Sequence, residues 1–184
     1  MKHHYIKAAL AALCLLPLSQ VSASDFEKDG VYYNITDNTA KTVSVAASPA
    51  DALYSGVVTI PATVENGGNT YTVTAIAQEA FKSCIHLTGV NIGSEVTTIK
   101  YRAFYGCDAL EEVVIPDNVT SLPRMGNYGW EAYSEAFAGC TSLESVTIGK
   151  RVAEMGTGLF KGCTSLKNVT IKDGCSLIGA EGFS

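Results

Sequence analysis

Once a leading segment holding Cys14 is set aside, five cysteines remain: Cys84, Cys107, Cys140, Cys163 and Cys175. Thiols pair as disulfides in an oxidising compartment, hold zinc, or attack as nucleophiles beside a histidine. Zinc is disfavoured because no short Cys-x-x-Cys pair occurs. His86 is the one histidine beyond the leader, so a Ser-His-Asp or Cys-His site has almost no material. Gly156-Thr157-Gly158 has Lys161 where a dinucleotide loop needs its third glycine, and no Walker-type Gly-Lys-Ser/Thr occurs. Glu111-Glu112 and Glu131 with Glu135 offer carboxylates, yet no spacing marks a glycosidase pair, and they read more simply as solvating charges. A stronger signal stands against these weak ones. The first four cysteines recur at intervals of 23, 33 and 23 residues, a regularity no catalytic site requires.

Other columns keep the same register. Phe81, Phe104, Phe137, Phe160 and Phe183 are spaced by 23, 33, 23 and 23 residues, the first four each three residues ahead of a cysteine. Leu87, Leu110, Leu143 and Leu166 lie three residues before Val90, Val113, Val146 and Val169. Ile92, Ile115, Ile148 and Ile171 follow those valines by two. Val and Ile two apart face one side of a short strand. An apolar residue such as Ile99 and the Ala103-Phe104 pair then fall in a short helical or irregular return segment, and Gly106, Gly139 and Gly162 bend the chain. One coil of this kind cannot bury its own apolar residues, so neighbours must stack and share a core. Stacking also bears on the thiols: in-register side chains run parallel about 5 Å apart, whereas a disulfide needs converging Cβ atoms near ~3.8 Å. A column of small buried thiols is expected.

Residues 1–23 carry Lys2 and Lys7, the apolar run Ile6–Leu18 and the small-x-small pattern Val21-Ser22-Ala23, which reads as a secretory signal peptide cleaved after Ala23. The run is short for a membrane span. Leu13 before Cys14 is bulky for a lipid-attachment site. Removing Lys2 and Lys7 takes the basic count from 13 to 11 against 18 acidic residues, a net −7 with histidine neutral. An acidic chain without basic clusters argues against nucleic acid and anionic membranes as partners.

The pattern L-x-x-V-x-I-P-x-x-V-T-x-[I/L]-x-x-x-A-F-x-G-C-x-x-L resembles the BspA-type leucine-rich repeats of secreted and surface-displayed bacterial proteins. Leu110–Cys140 fits it with an insertion, Leu87–Cys107 and Leu143–Cys163 with single departures, and Leu166–Ser184 as a repeat cut short. "DGVYYNIT" from Asp29 and "YSGVVTIPATVENGGNTYTVTAIAQEAF" from Tyr54 look like the family's usual start. The resemblance implies an α/β solenoid, a right-handed curved coil associated with adhesion to host or partner surfaces. Gly93, Gly149 and Lys172 stand where the pattern has proline.

Irregularities in the repeat carry the functional expectation. Asn66-Gly67-Gly68-Asn69 between β-favouring flanks suggests a hairpin, and "GVYYNI" with "KTVSVA" around Asp37-Asn38 suggests another. Residues 24–56 are therefore expected to form a β-rich N-terminal cap and residues 57–184 the solenoid, its last repeat incomplete. Between Ile115 and Phe137 an excess of ten residues, "RMGNYGWEAY" from Arg124, holds Met125, Tyr128, Trp130 and Tyr133. These rings either fold back onto the solenoid or contact a ligand. The strand face turned from the core is the second candidate, with Asn91, Val114, Thr147 and Thr170 between each Val and Ile, and Glu112 and Asn168 before the valine. A merely solvated sheet is its alternative. Asn34-Ile-Thr36, Asn118-Val-Thr120 and Asn168-Val-Thr170 match a glycosylation pattern, but alternation of Asn and Thr along strands accounts for them.

The sequence reading is thus of a non-catalytic, cofactor-free module, exported to the cell surface or secreted, that binds a protein or glycan at a host or microbial surface. The alternative is a structural component that self-associates through its C-terminal end, where Leu166, Val169, Ile171, Ile178 and Phe183 would be left bare.

Overall fold

The computed structural model of the chain describes residues 24–49, 53–120, 122, 134–174 and 177–178. The leader, the 124–133 insert with Met125, Tyr128, Trp130 and Tyr133, and Cys175 and Phe183 lie outside the described residues. The strands run in chain order β1 (Phe26–Lys28), β2 (Val31–Asp37), β3 (Thr42–Val45), β4 (Ser55–Ile60), β5 (Thr63–Asn66), β6 (Asn69–Ile76) and β7 (His86–Ile92). They continue with β8 (Thr98–Ile99), β9 (Glu112–Ile115), β10 (Ser145–Ile148), β11 (Glu154–Met155), β12 (Asn168–Ile171) and β13 (Leu177–Ile178).

One sheet holds β12, β10, β9, β7 and β4 in that order, every pairing parallel. Parallel neighbours need long returns between them, which is what stacked coils supply. The alternating Val and Ile make the strands: Val113 and Ile115 are buried on β9 and pair with the equally buried Val146 and Ile148 on β10. The Leu-x-x-Val spacing of three does not match the strand period of two. β7 absorbs the extra residue as a bulge, with Leu87 opposite Gly56, Gly89 opposite Val57 and Thr88 between them unpaired.

A second sheet has the order β1-β2-β3-β6-β5, with β8 also pairing β6. β2 and β3 form one antiparallel hairpin and β5 and β6 another. Gly67 and Gly68, at φ 56° and 75°, occupy the two left-handed positions of the β5–β6 turn. β3 runs parallel to β6, so the two hairpins meet side by side. β11 and β13 pair in parallel further along the chain.

The return segments contain no helix among the described residues, which corrects the helical half of the α/β expectation. The physical cause lies in left-handed residues placed four apart. Glu79 and Ser83 have φ 57° and 59°, Arg102 and Gly106 52° and 67°, Glu135 and Gly139 43° and 75°, and Gly158 and Gly162 70° and 75°. Only three right-handed residues fit between each pair, too few for a helix to propagate. Tight turns replace it, with the Cys107 amide donating to the Phe104 carbonyl at 3.2 Å and the Leu110 amide to the Cys107 carbonyl at 3.1 Å. The amides left over donate to the next coil, Phe81 to the Ala103 carbonyl and Phe104 to the Ala136 carbonyl, both at 2.7 Å.

The core is a pile of rings. Phe81, Phe104, Phe137 and Phe160 stack at 4.8, 5.0 and 5.6 Å between centroids, the first two pairs within 4° of parallel. All four are buried, with Leu87, Leu110 and Leu143 beneath the strands. Tyr54 begins the pile, its ring 4.5 Å from that of Phe81. Its hydroxyl donates to the Ala46 carbonyl at 2.8 Å and accepts the Tyr32 amide at 3.0 Å. The first sheet's aromatic column is thereby tied to the second sheet. At Gly93 a Cβ would stand 2.7 Å from the Ile60 carbonyl oxygen and 2.8 Å from the Pro61 carbonyl carbon. At Gly149 it would strike the Pro116 carbonyl. Proline and glycine thus alternate where the chain leaves β4, β7, β9 and β10, because a Cβ on either glycine would meet the backbone of the preceding coil.

Candidate functional site

Strand alternation projects two rows of side chains away from the core. Val57, Gly89, Glu112, Ser145 and Asn168 lie side by side across the strands in one row. Thr59 pairs with Asn91 in the other, and Val114, Thr147 and Thr170 stand in register with one another. Every residue assigned to this face from the sequence is at least partly exposed there. The face is not uniform. Val57 and Val114 are 65% and 47% exposed although both are apolar, and Gly89 supplies no side chain between Val57 and Glu112. The missing side chain opens a depression of about 660 Å³ lined by Val57, Gly89, Asn91, Glu112, Val114 and Pro116. The Asn91 side-chain amide donates to the Thr59 hydroxyl at 3.2 Å, holding one wall.

The structure therefore gathers Asn91, Glu112 and Val114 into one concavity, whereas Thr147, Thr170 and Asn168 continue the sheet beyond it. Val57 was missed as a site residue because β4 precedes the first Leu-x-x-Val repeat. Its only signal was the Val58-x-Ile60 pair that anchors the strand in the core.

The cysteines have a structural role. Cys107, Cys140 and Cys163 donate their thiols to the carbonyl oxygens of Phe81, Phe104 and Phe137, one coil back, at 3.0, 3.2 and 3.1 Å. Burial raises the Cys84 thiol to about 11. The neighbouring Cys107 thiol and then burial push Cys140 up as well, and the neighbouring Cys140 thiol does the same to Cys163. Thiols held protonated are poor nucleophiles and poor ligands. No group of three His, Cys, Asp or Glu is placed to hold a metal ion among the described residues. His86 is exposed at the start of β7 opposite Ser55, where other coils have Ala109, Ser142 and Ser165.

A polar cluster marks the return side. Arg102 donates through Nε to a Glu135 carboxylate oxygen at 2.6 Å and lies 4.8 Å from the ring centres of both Tyr101 and Tyr105. The Glu135 bond holds the guanidinium in its charged form, and burial raises Tyr101. Arg102 and Glu135 both sit in the left-handed region, so the pair fixes a strained part of the turn.

A parallel sheet of short strands backed by stacked phenylalanines, with turns for its return, defines a leucine-rich-repeat solenoid. The pattern of the BspA type leucine rich repeat region matches in six copies over residues 63–128 and 130–184, and the chain belongs to that family. Solved structures agree. A leucine-rich repeat protein from Bacteroides ovatus is 29% identical with a TM-score of 0.65, the match covering 79% of this chain and 41% of that one. A leucine rich cell surface protein from Faecalibacterium prausnitzii is 26% identical at a TM-score of 0.56, over 86% of this chain and 45% of that one. A leucine-rich repeat protein from Bacteroides capillosus shares the fold at 24% identity and a TM-score of 0.63, over 80% of this chain and 97% of that one. The chain thus spans less than half of the first two relatives. No curated protein matches it.

Proposed function

We propose that the protein is an exported, non-catalytic binding module that recognises a protein or glycan at a host or microbial surface. The observation that carries this reading is the depression on the parallel sheet, where Asn91, Glu112 and Val114 meet Val57 on a rigid support. Solenoids bind along extended faces of this kind, and the right-handed curvature expected of the family would turn the face inward around a partner. The aromatic insert with Met125, Tyr128, Trp130 and Tyr133 is a second contact in this reading, and the described cell-surface nature of the F. prausnitzii relative supports a surface location. Cleavage after Ala23 releases the chain, residues 24–56 cap the solenoid's first coil, and residues 57–184 present the face. Pull-down from host and microbial surface extracts tests it, comparing the native protein with a 124–133 deletion and with Gly89→Thr. Residue 89 has ordinary backbone, and an added Cβ there would approach no closer than 3.4 Å to Val57, so the position accepts a side chain that occupies the depression. Loss of the captured partner on either change supports the reading, and capture indifferent to both overturns it.

One observation favours a second reading, a self-assembling surface component. Val169 and Ile171 sit in the core columns yet are each 38% exposed on β12. Light scattering checks it: a monomer at every concentration rules it out.

A further inference from the structure

The depression is acidic as well as apolar, and that combination selects an occupant. We propose that it binds an extended cationic peptide segment of a partner protein, a reading that rests on the sheet face being the binding surface. Glu112 is the one charged residue in the two outward rows, between Gly89 and Ser145. Glu111 lines the same depression. Both side chains are exposed, and neither has an ion pair or side-chain hydrogen bond among the described residues. Three other carboxylates on the coils are answered by a cation, Glu144 by Lys167 at 2.9 Å, Asp117 by Lys172 at 2.9 Å and Glu135 by Arg102, whereas Glu95 and Asp108, which do not line the depression, have no ion pair among the described residues. Glu144 precedes β10 as Glu111 precedes β9, and its amide donates to the Glu111 carbonyl at 2.8 Å, so among the described residues the coil that follows has a cation where this one has none.

The geometry suits a lysine or arginine. A long basic side chain lays its methylenes along apolar surface and keeps its charged head on an acceptor. Val57 and Val114 supply that surface on either side of the gap at Gly89, and the two glutamates supply acceptors at its rim. Asn91, Thr88 and Ser94 leave neutral polar groups in the lining for a peptide backbone. Among the described residues the lining holds no aromatic ring on which a sugar could stack, and two carboxylates repel acidic glycans and nucleic acid. Charge complementarity of this kind sets partner choice more than raw affinity.

The test is a titration of the 15N-labelled protein with acetylated, amidated Thr-Val-Lys-Val-Thr-Val and with the same peptide carrying glutamine or glutamate for lysine. The amides of Gly89, Glu112 and Val114 are expected to shift with the lysine peptide and not with the glutamate one. Glu111→Gln with Glu112→Gln changes two exposed, unpaired groups, so folding is retained, checked by circular dichroism. That double variant should weaken lysine-peptide binding roughly fivefold to thirtyfold and flatten its dependence on salt. Equal response to lysine and glutamine peptides, shifts away from these residues, or no binding overturns the inference. The two readings fail separately. Partner capture abolished by Gly89→Thr but unchanged by the double glutamine variant keeps the sheet face as the binding surface and discards the cationic occupant.

Discussion

The Cys140 thiol donates to the Phe104 carbonyl oxygen at 3.2 Å, and the same oxygen accepts the Cys107 amide at 3.2 Å. One atom thus closes a turn in its own coil and receives the coil above. The thiol column is a rivet line beside the phenylalanine stack, and its chemistry is subordinate to that position.

Alkaline pH should destabilise the fold. Cys84 is raised from 9.0 to about 11 and Tyr33 from 10.0 to about 12, in both cases first by burial. Each folded-state value lies above the unfolded one, so the native state holds its proton where the unfolded chain has released it. The stability from this source is complete below pH 9 and is lost as pH rises through 11 and 12. The thermal unfolding midpoint should fall steadily from pH 8 to pH 11. Iodoacetamide at pH 8 should leave Cys84, Cys107 and Cys140 unmodified in the native protein, with the half-buried Cys163 first of the four to react.

Phe104 lies between two nearly parallel rings, 4.8 Å from Phe81 and 5.0 Å from Phe137. Phe104→Ala should cost about 3–5 kcal/mol, and Phe104→Leu considerably less, measured by urea unfolding. The ring stack joins each coil to its immediate neighbours, so the alanine variant should also broaden the transition by uncoupling the coils on either side.

Tyr54→Phe keeps the ring on Phe81 but removes the hydroxyl that receives the Tyr32 amide and reaches the Ala46 carbonyl. The loss should be about 1–3 kcal/mol, because both backbone groups are left without their partner. Hydrogen exchange should quicken at the Tyr32 amide first.

Gly93→Ala adds one methyl against the Ile60 carbonyl oxygen and Pro61. Backbone has to move to admit it, and a destabilisation of about 1–3 kcal/mol is expected. Gly89→Ala on the open face is the control and should change the unfolding midpoint little.

Much of this was legible in the residue columns. Phe81, Cys84, Leu87 and Val90 recur in register because each packs on its own counterpart one coil away, and identical contacts select identical residues. The outward rows followed from strand alternation alone, which is why Asn91, Glu112 and Val114 were expected to point away from the core, as they do. Other features had no local signal. Glu79, Arg102 and Glu135 adopt left-handed backbone where glycine would have announced it, and those conformations are what exclude a helix. The parallel pairing of β3 with β6 joins residues about thirty apart without a repeat to mark them. The depression exists because Gly89 meets Val57 across β4 and β7, and an absent side chain becomes a cavity only once its neighbours are known.

The ring pile has a mechanical corollary. Stack, rivet and amide ladder all join one coil to the next, and a contact that reaches past a coil, such as the exposed Asp117–Lys172 pair, is a surface one, so tension applied between the two ends of the coil stack has little room to spread. A chain tethered at one point and dragged at another by flow would peel turn by turn. Each release of a 23-residue turn pays out about 80 Å of thread, a graded slackening in place of a single rupture.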